Sequence, residues 1–169
     1  MCFRIFRGNS RWLVAGLMAA FFTSADADEK LAGRITALDG HTVRVGAATY
    51  RLAGIDAPDP GQFCFNTQND AWVPCGSISR EALAEFLRGK GVSCAKAGAA
   101  ADGAPLAECF RDGLSVNRLM VRYGMAMSAP SFEDEQAKAR QKSAGLWKTR
   151  LVNPPEWRTG KRLPGEPRE

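Results

Sequence analysis

The chain of 169 residues has one histidine, two tyrosines and no pair of cysteines in C-x-x-C spacing. The scarcity of histidine and the absence of C-x-x-C pairs argue against a tetrahedral zinc site, which usually draws on such residues. No repeat of roughly 20 to 50 residues is visible, which argues against a solenoid. The composition, 45% hydrophobic and 24% charged, describes one folded domain that is too apolar to stay disordered.

A hydrophobic run long enough to span a membrane is also missing. The apolar run 12–22 has 11 residues, and a spanning helix needs about 20. This run follows three arginines and precedes the small pair Ala25 and Ala27, which is the three-part pattern of a secretory signal peptide. We therefore expect residues 1–27 to be removed on export to the periplasm or out of the cell. An uncleaved anchor is the alternative.

The excess of positive charge is small. The formal net charge is +5, and removal of the first 27 residues, with three Arg and one Asp, leaves 20 cations against 17 anions, or +3. A field of this size helps an anionic substrate approach but does not by itself indicate nucleic-acid binding. Most of the cations lie late in the chain, where a solvated helix face and a basic tail explain them as well as a binding surface does.

Four cysteines remain after export: Cys64, Cys75, Cys94 and Cys109. An even set in an oxidising compartment favours two disulfides. Four cysteines allow three pairings, and the spacing favours Cys64 with Cys75 and Cys94 with Cys109, because each pair closes one local loop. A zinc site is the alternative.

The hydrophobic pattern predicts strands before and after a helix. Val43 and Val45 alternate with polar neighbours, as in a half-buried strand. The predicted elements are three strands within 31–53, a helix over 78–87, strands at 92–96 and 106–111, and helices within 115–124 and 131–145. This order favours an α+β fold, a five-stranded OB-type barrel with about three packed helices over residues 28–158. We expect residues 159–169 to form a flexible basic tail.

Several segments carry a family resemblance: LDGHTVRV, YRLAGIDAPDPGQFC, the CG before the first helix and SAGLWKTRLVNPPEWR. In this order they resemble the staphylococcal nuclease family, from about Leu31 to Arg158. The resemblance implies an OB-fold barrel with three helices. It also implies an exported, calcium-dependent enzyme that cleaves phosphodiester bonds in DNA and RNA, with two metal-binding carboxylates, a carboxylate general base and two phosphate-binding arginines.

Those groups match the chemistry of phosphodiester cleavage, which must neutralise charge on the phosphoryl oxygens and deprotonate a water. By its position in the motif, Arg51 would bind the phosphate and Asp56 the metal. Asp59 stands where the family has its Glu base and is one methylene shorter. The simpler explanations are an exposed strand arginine for Arg51 and a turn-capping carboxylate for Asp56.

The candidate metal ligands are Asp39, His41 and Asp56. His41 stands where the family has a carboxylate, and a neutral imidazole suits Zn²⁺ or Mn²⁺ better than Ca²⁺. A polar hairpin residue without a role is the alternative for His41. Ala104 aligns with the second phosphate-binding arginine, and loss of one such donor typically costs about 10² to 10³ in rate.

These substitutions predict an exported protein of the metal-dependent phosphodiester hydrolase class whose catalysis is strongly impaired. It would use Ca²⁺ weakly, or Zn²⁺ or Mn²⁺ through His41, or no metal at all. The alternative is a catalytically dead OB-fold module that binds nucleic acid or another polyanion in the cell envelope. We expect a monomer that does not insert into the membrane after cleavage.

Overall fold

The computed structural model describes residues 29–168, so the expected signal peptide lies outside the described residues. The strands are β1 (Ile35–Ala37), β2 (Thr42–Val45), β3 (Ala48–Leu52), β4 (Ile55–Asp56), β5 (Cys64–Asn66), β6 (Ala71–Val73), β7 (Val92–Ala99), β8 (Pro105–Arg111), β9 (Leu114–Ser115), β10 (Met127–Ser128) and β11 (Thr149–Arg150). The helices are α1 (Cys75–Phe86), α2 (Val116–Arg122), α3 (Glu133–Gln141) and α4 (Pro154–Arg158), with a 3-10 helix at Gly145–Lys148. None of the helices in the described part is long and apolar enough to cross a membrane.

The main sheet curls into a partial barrel. β1, β2 and β3 form an antiparallel meander, β3 pairs in parallel with β8, and β8 pairs with β7 and β9. Lys30 bridges Ala95 of β7, and the Leu31 amide donates to the Cys94 carbonyl at 2.8 Å. The segment before β1 therefore meets the far edge of the sheet. The predicted α+β OB-fold is confirmed, and α4 is an additional short helix.

The core lies between the curled sheet and the first two helices. Val43 and Val45 are buried while the intervening Arg44 is exposed, as the alternation predicted. Leu83 of α1 and Met120 of α2 are fully buried against the same cluster. Burial of each large aliphatic side chain contributes about 1.5 to 3 kcal/mol, so this cluster holds both helices on the sheet.

The first helix begins at Cys75, three residues before the start predicted from the sequence. Pro74 occupies the N-cap position, α1 starts at Cys75, and no side chain caps it. Ser79 lies inside the helix and is fully buried, with its hydroxyl donating to the Met125 carbonyl at 2.6 Å. This serine therefore ties α1 to the segment after α2.

Both favoured disulfides are present. Cys64–Cys75 joins β5 to the start of α1, and Cys94–Cys109 joins directly opposed residues of β7 and β8. The paired cysteines are 11 and 15 residues apart in the sequence, so each disulfide closes a short loop. In the chain-entropy account, loops of this size stabilise the fold by roughly 3 kcal/mol each.

The residues after α4 contact the domain. The Glu166 carboxylate accepts hydrogen bonds from the Trp157 indole at 2.8 Å and from the backbone amides of Phe63 and Leu163, at 3.4 and 3.0 Å. These contacts fix the direction in which the chain leaves α4. The flexibility of the segment 159–169 stays a prediction.

Candidate active site

The fold brings four of the candidate residues into one pocket, and a small ladder explains how. β4 pairs with β10, with Asp56 opposite Met127, and the Leu52 amide donates to the His41 carbonyl at 2.7 Å, which holds His41 beside the end of β3 just before β4. His41, Arg51, Asp56 and Asp59 all line the same pocket. Asp39, the remaining candidate ligand, contacts His41 just outside it.

The imidazole of His41 lies between two carboxylates. Its Nδ1 is 3.3 Å from Asp39 Oδ1, and its Nε2 is 3.9 Å from Asp56 Oδ1. The backbone amide of His41 also donates to Asp39 Oδ1 at 2.8 Å. The turn between β1 and β2 packs closely against α1. A Cβ on Gly40 would lie 2.0 Å from the Ser79 hydroxyl oxygen, so a side chain does not fit there. Gly40 therefore lets the β1–β2 turn approach α1 closely, with His41 at the pocket.

Arg158, the last residue of α4, enters the same pocket. Its Nη2 donates to Asp56 Oδ2 at 2.5 Å, and its Nη1 donates to Asp59 Oδ2 at 2.8 Å and to Asp56 Oδ1 at 3.3 Å. One guanidinium thus spans the candidate metal ligand and the candidate general base. The fork geometry of arginine permits such a three-bond clamp, whereas a lysine ammonium would act as a point charge.

The pKa values of Asp59 and Arg158 reflect the hydrogen bonds that Arg158 makes to the two carboxylates. Burial raises the pKa of Asp59 above its ordinary value, although the charge and hydrogen bond of Arg158 oppose the increase. Burial alone would lower the pKa of Arg158, but its hydrogen bonds and charge attraction to Asp56 and Asp59 outweigh burial and raise it. The guanidinium is therefore always charged in this site.

Arg51, the candidate phosphate ligand, is also paired within the chain. Its Nη2 donates to both carboxylate oxygens of Asp102, which lies in the β7–β8 loop. This hydrogen bond is the main reason why the pKa of Asp102 is lowered, and the Ala104 amide adds a second bond at 3.2 Å. A phosphate approaching Arg51 must therefore compete with a carboxylate.

Among residues 29–168, Arg158 is the only lysine or arginine besides Arg51 that lines this pocket, and it is paired with Asp56 and Asp59. Ala104 follows Gly103, whose φ of +81° makes the turn. The nearest cations in sequence have other contacts: Lys96 pairs with Glu29 at 2.5 Å, and Arg111 donates to the Glu85 carbonyl at 3.1 Å. Neither of these two cations lines the pocket.

The site as arranged does not fit a calcium ion. Within residues 29–168, no group of three or more His, Cys, Asp or Glu side chains is placed to hold a metal. Arg158 takes both oxygens of Asp56, and His41 offers an imidazole where calcium prefers oxygen. Asp39, His41 and Asp56 are neighbours, but the guanidinium already supplies the cation between the carboxylates.

The net charge near the pocket is negative. Four carboxylates, Asp39, Asp56, Asp59 and Asp102, lie around two guanidiniums, Arg51 and Arg158, so these six side chains together carry a formal charge of −2. A site with this balance does not attract a phosphodiester unless a further cation enters.

An OB-type barrel with these residues in one pocket defines a staphylococcal-nuclease-like domain. The family model described as "Staphylococcal nuclease homologue" matches residues 49–149. A relative, "Succinoglycan biosynthesis protein ExoI" of Rhizobium meliloti (strain 1021), is 30% identical over 153 residues, which cover 86% of this chain and 80% of the relative. The chain belongs to the staphylococcal nuclease homologue family. In general, that family depends on calcium and its domain binds nucleic acid.

The sequence patterns missed two of the pocket's charged residues. Arg158 is part of the segment that carries the resemblance, and Asp102 is the one charge in the loop before β8. Their partners lie 102 and 51 residues away in the chain. A local pattern gives no signal for such a pairing, so only the folded barrel reveals it.

Proposed function

We propose that this chain is an exported, staphylococcal-nuclease-like protein of the metal-dependent phosphodiester hydrolase class whose hydrolysis is strongly impaired. The clamp of Arg158 on Asp56 and Asp59 carries the proposal. The carboxylates that would hold a metal and activate a water are hydrogen-bonded to a cation of the same chain. Export is supported by the signal-peptide pattern of residues 1–27 and by the two disulfides.

The remaining parts of the reaction are weakened as well. Asp59 is one methylene shorter than the family glutamate, and a misplacement of about 1 Å can cost roughly a hundredfold in rate. Ala104 removes a donor worth about 10² to 10³ in rate, and Arg51 is paired with Asp102. These losses affect one transition state, so they need not multiply, but all of them lower the rate.

The test compares the native chain with a restored variant. Purified protein is incubated at high concentration with labelled single-stranded DNA or RNA and with Ca²⁺, Mn²⁺, Mg²⁺ or Zn²⁺ in turn. The variant carries His41→Asp, Asp59→Glu, Ala104→Arg and Arg158→Ala, and a melting curve verifies that it folds. We expect native cleavage at least about a hundredfold slower than that of the variant. Native turnover of about 1 s⁻¹ or faster, the ordinary range for enzymes, would contradict the proposal.

A second candidate function is a binding module for nucleic acid or another polyanion in the cell envelope. The observation that favours it is a set of exposed cations outside the candidate active site, Arg122, Lys138 and Lys142, none with an ion pair among residues 29–168. The relative is described as a succinoglycan biosynthesis protein, so a polysaccharide belongs among the ligands tested. Equilibrium binding across a salt series tests this function, since affinity that rests on phosphate contacts falls steeply with salt.

A further inference from the structure

A second pocket lies where α2 ends against α3. Its lining consists of Arg122, Tyr123, Glu135, Lys138, Lys142 and Ala144, and we call it the Tyr123 pocket. Its one carboxylate, Glu135, is already paired with Arg118 at 3.2 Å. The three cations of the lining are exposed, and within the described part of the chain they form no ion pair. The pocket therefore presents positive charge that the fold leaves uncompensated.

The backbone brings these cations together. Lys138 and Lys142 are four residues apart, so they share one face of α3 and its C-terminal end. Gly124, directly after the α2 C-cap, has a φ of +69°, and a Cβ there would lie 2.2 Å from the Ala144 carbonyl oxygen. The Leu146 amide donates to the Gly124 carbonyl at 2.9 Å, which fixes the exit of α2 against the turn after α3.

Arg122 and Lys138 lie in the last turns of α2 and α3, where each helix dipole contributes about −0.5 charge, which offsets only part of the three positive charges. Cations at this spacing repel each other and destabilise a helix slightly. The acidic residues of the first turn of α3, Glu133 and Asp134, do not line the pocket. The cations are therefore held at a junction fixed by close backbone contacts, with charge that no ion pair within residues 29–168 neutralises, and an anion from outside can neutralise it.

Tyr123 adds an aromatic surface to this charge. It is 53% exposed, and the only other large hydrophobic residue with comparable exposure in the described part is Leu114. One side of its ring is supported by Phe86, with ring centroids 5.6 Å apart and planes tilted by 35°. Tyr123 lines the same pocket as the three cations. An aromatic face next to cations is the combination that single-stranded nucleic acids use, with a base on the ring and phosphates on the charges.

We propose that the Tyr123 pocket binds single-stranded nucleic acid, with a base stacked on Tyr123 and neighbouring phosphates at Arg122, Lys138 and Lys142. The proposal rests on the second candidate function and names its site, which is separate from the pocket of Arg51 and Asp56. A nucleotide chain carries one charge for each ring. Several cations around one aromatic residue match this charge density better than they match that of a sparsely charged polysaccharide.

The test measures binding of a fluorescently labelled dT oligonucleotide by anisotropy, in EDTA and between 50 and 200 mM salt. For the native protein we expect an affinity that falls with salt. Tyr123→Ala should weaken binding roughly tenfold, and Tyr123→Phe should retain it, because the ring is what stacks. Lys138→Gln with Lys142→Gln should reduce the slope of log affinity against log salt by about 1.4, or 0.7 for each phosphate contact.

Matched controls separate the pocket from the surface at large. Leu114→Ala removes an apolar side chain that is 63% exposed, and Lys90→Gln removes an exposed charge elsewhere, so both should bind as the native protein does. Absence of binding at 50 mM salt, or native affinity in Tyr123→Ala, would overturn the proposal. Tighter binding of polygalacturonate, which has carboxylates but no bases, would overturn it too. Since EDTA prevents metal-dependent cleavage, this outcome is independent of the hydrolysis test.

Discussion

The two pockets of this molecule contain similar cations in opposite circumstances. In the candidate active site, Arg51 is paired with Asp102, and Arg158 is paired with Asp56 and Asp59. In the Tyr123 pocket, the three cations of the lining form no ion pair with a carboxylate among residues 29–168. The comparison teaches that the presence of arginines in a site says little about anion binding until their partners are known. Here the positive charge without an ion pair lies away from the candidate catalytic residues.

The difference arises from how each pocket is assembled. The ion pairs of the active site join residues 51, 99 and 102 positions apart, so they form only when the barrel and α4 are in place. The Tyr123 pocket is built at one junction between successive helices, and its charges come from short stretches of chain. The first pocket is therefore a product of tertiary structure, while the second is largely local.

The largest expected effect comes from removing the clamp with Arg158→Ala. Two partly buried carboxylates, Asp56 and Asp59, would lose their cation. Breaking a fully buried pair costs 3 to 5 kcal/mol, but the Arg158 side chain is 41% exposed, so we expect a loss of about 1 to 2 kcal/mol of unfolding free energy. Thermal melting with EDTA or millimolar Ca²⁺ measures it. Calcium should raise the melting temperature of the variant and not of the native protein, because only the variant has open carboxylates.

A matched arginine controls this measurement. Arg162 stacks over the Trp157 ring at 3.9 Å and does not line the active-site pocket. Arg162→Ala should therefore gain no response to calcium. An equal calcium shift in the native protein would mean that Arg158 does not keep the metal out, and the contrast between the two pockets would fail.

The next largest effect is expected from a substitution that makes the Tyr123 pocket resemble the candidate active site. Lys142→Glu would place a carboxylate beside Lys138 and Arg122, so that the cations become paired within the chain. We expect about a tenfold loss of affinity for the dT oligonucleotide at 50 mM salt and a salt slope shallower by about 1.4. Lys148→Glu makes the same change of net charge outside the lining. Equal losses in both variants would show that the general field, and not the pocket, determines binding.

Much of the fold was predictable because its signals are local. The alternation around Val43 and Val45 and the helical spacing of α1 each depend on a few neighbouring residues, and the resemblance added the order of the elements. The pairing of the cysteines followed from short loops. The two- and three-residue strands from β4 to β6 and the five-residue α4 are too short to show a period, so the sequence patterns did not predict them.

The candidate site was predictable only in part, for the same reason. The motif named Arg51, Asp56 and Asp59 by position, and the structure brings them into one pocket. The clamp by Arg158 depends on where α4 docks after the barrel has formed, and no spacing between residues encodes it. The sequence therefore predicted only part of the set of side chains that meet, while Arg158, Asp102 and the pairing of the charges required the folded structure.

The smallest expected effect concerns the exposed pair of Arg51 and Asp102 and its dependence on pH. The hydrogen bond from Arg51 lowers the pKa of Asp102 below its ordinary value of 3.8, so the ionised carboxylate favours the folded state. This contribution is fully present above pH 3.8 and is lost as the pH falls through the lower pKa of the folded protein. Asp102→Asn should therefore melt slightly below the native protein at pH 7, and the difference should disappear under strongly acidic conditions. Asp70→Asn, which removes an exposed carboxylate without an ion pair among residues 29–168, is the control. A difference that grows as the pH falls would show that Asp102 does not pair with Arg51, and Arg51 would then be available to a phosphate.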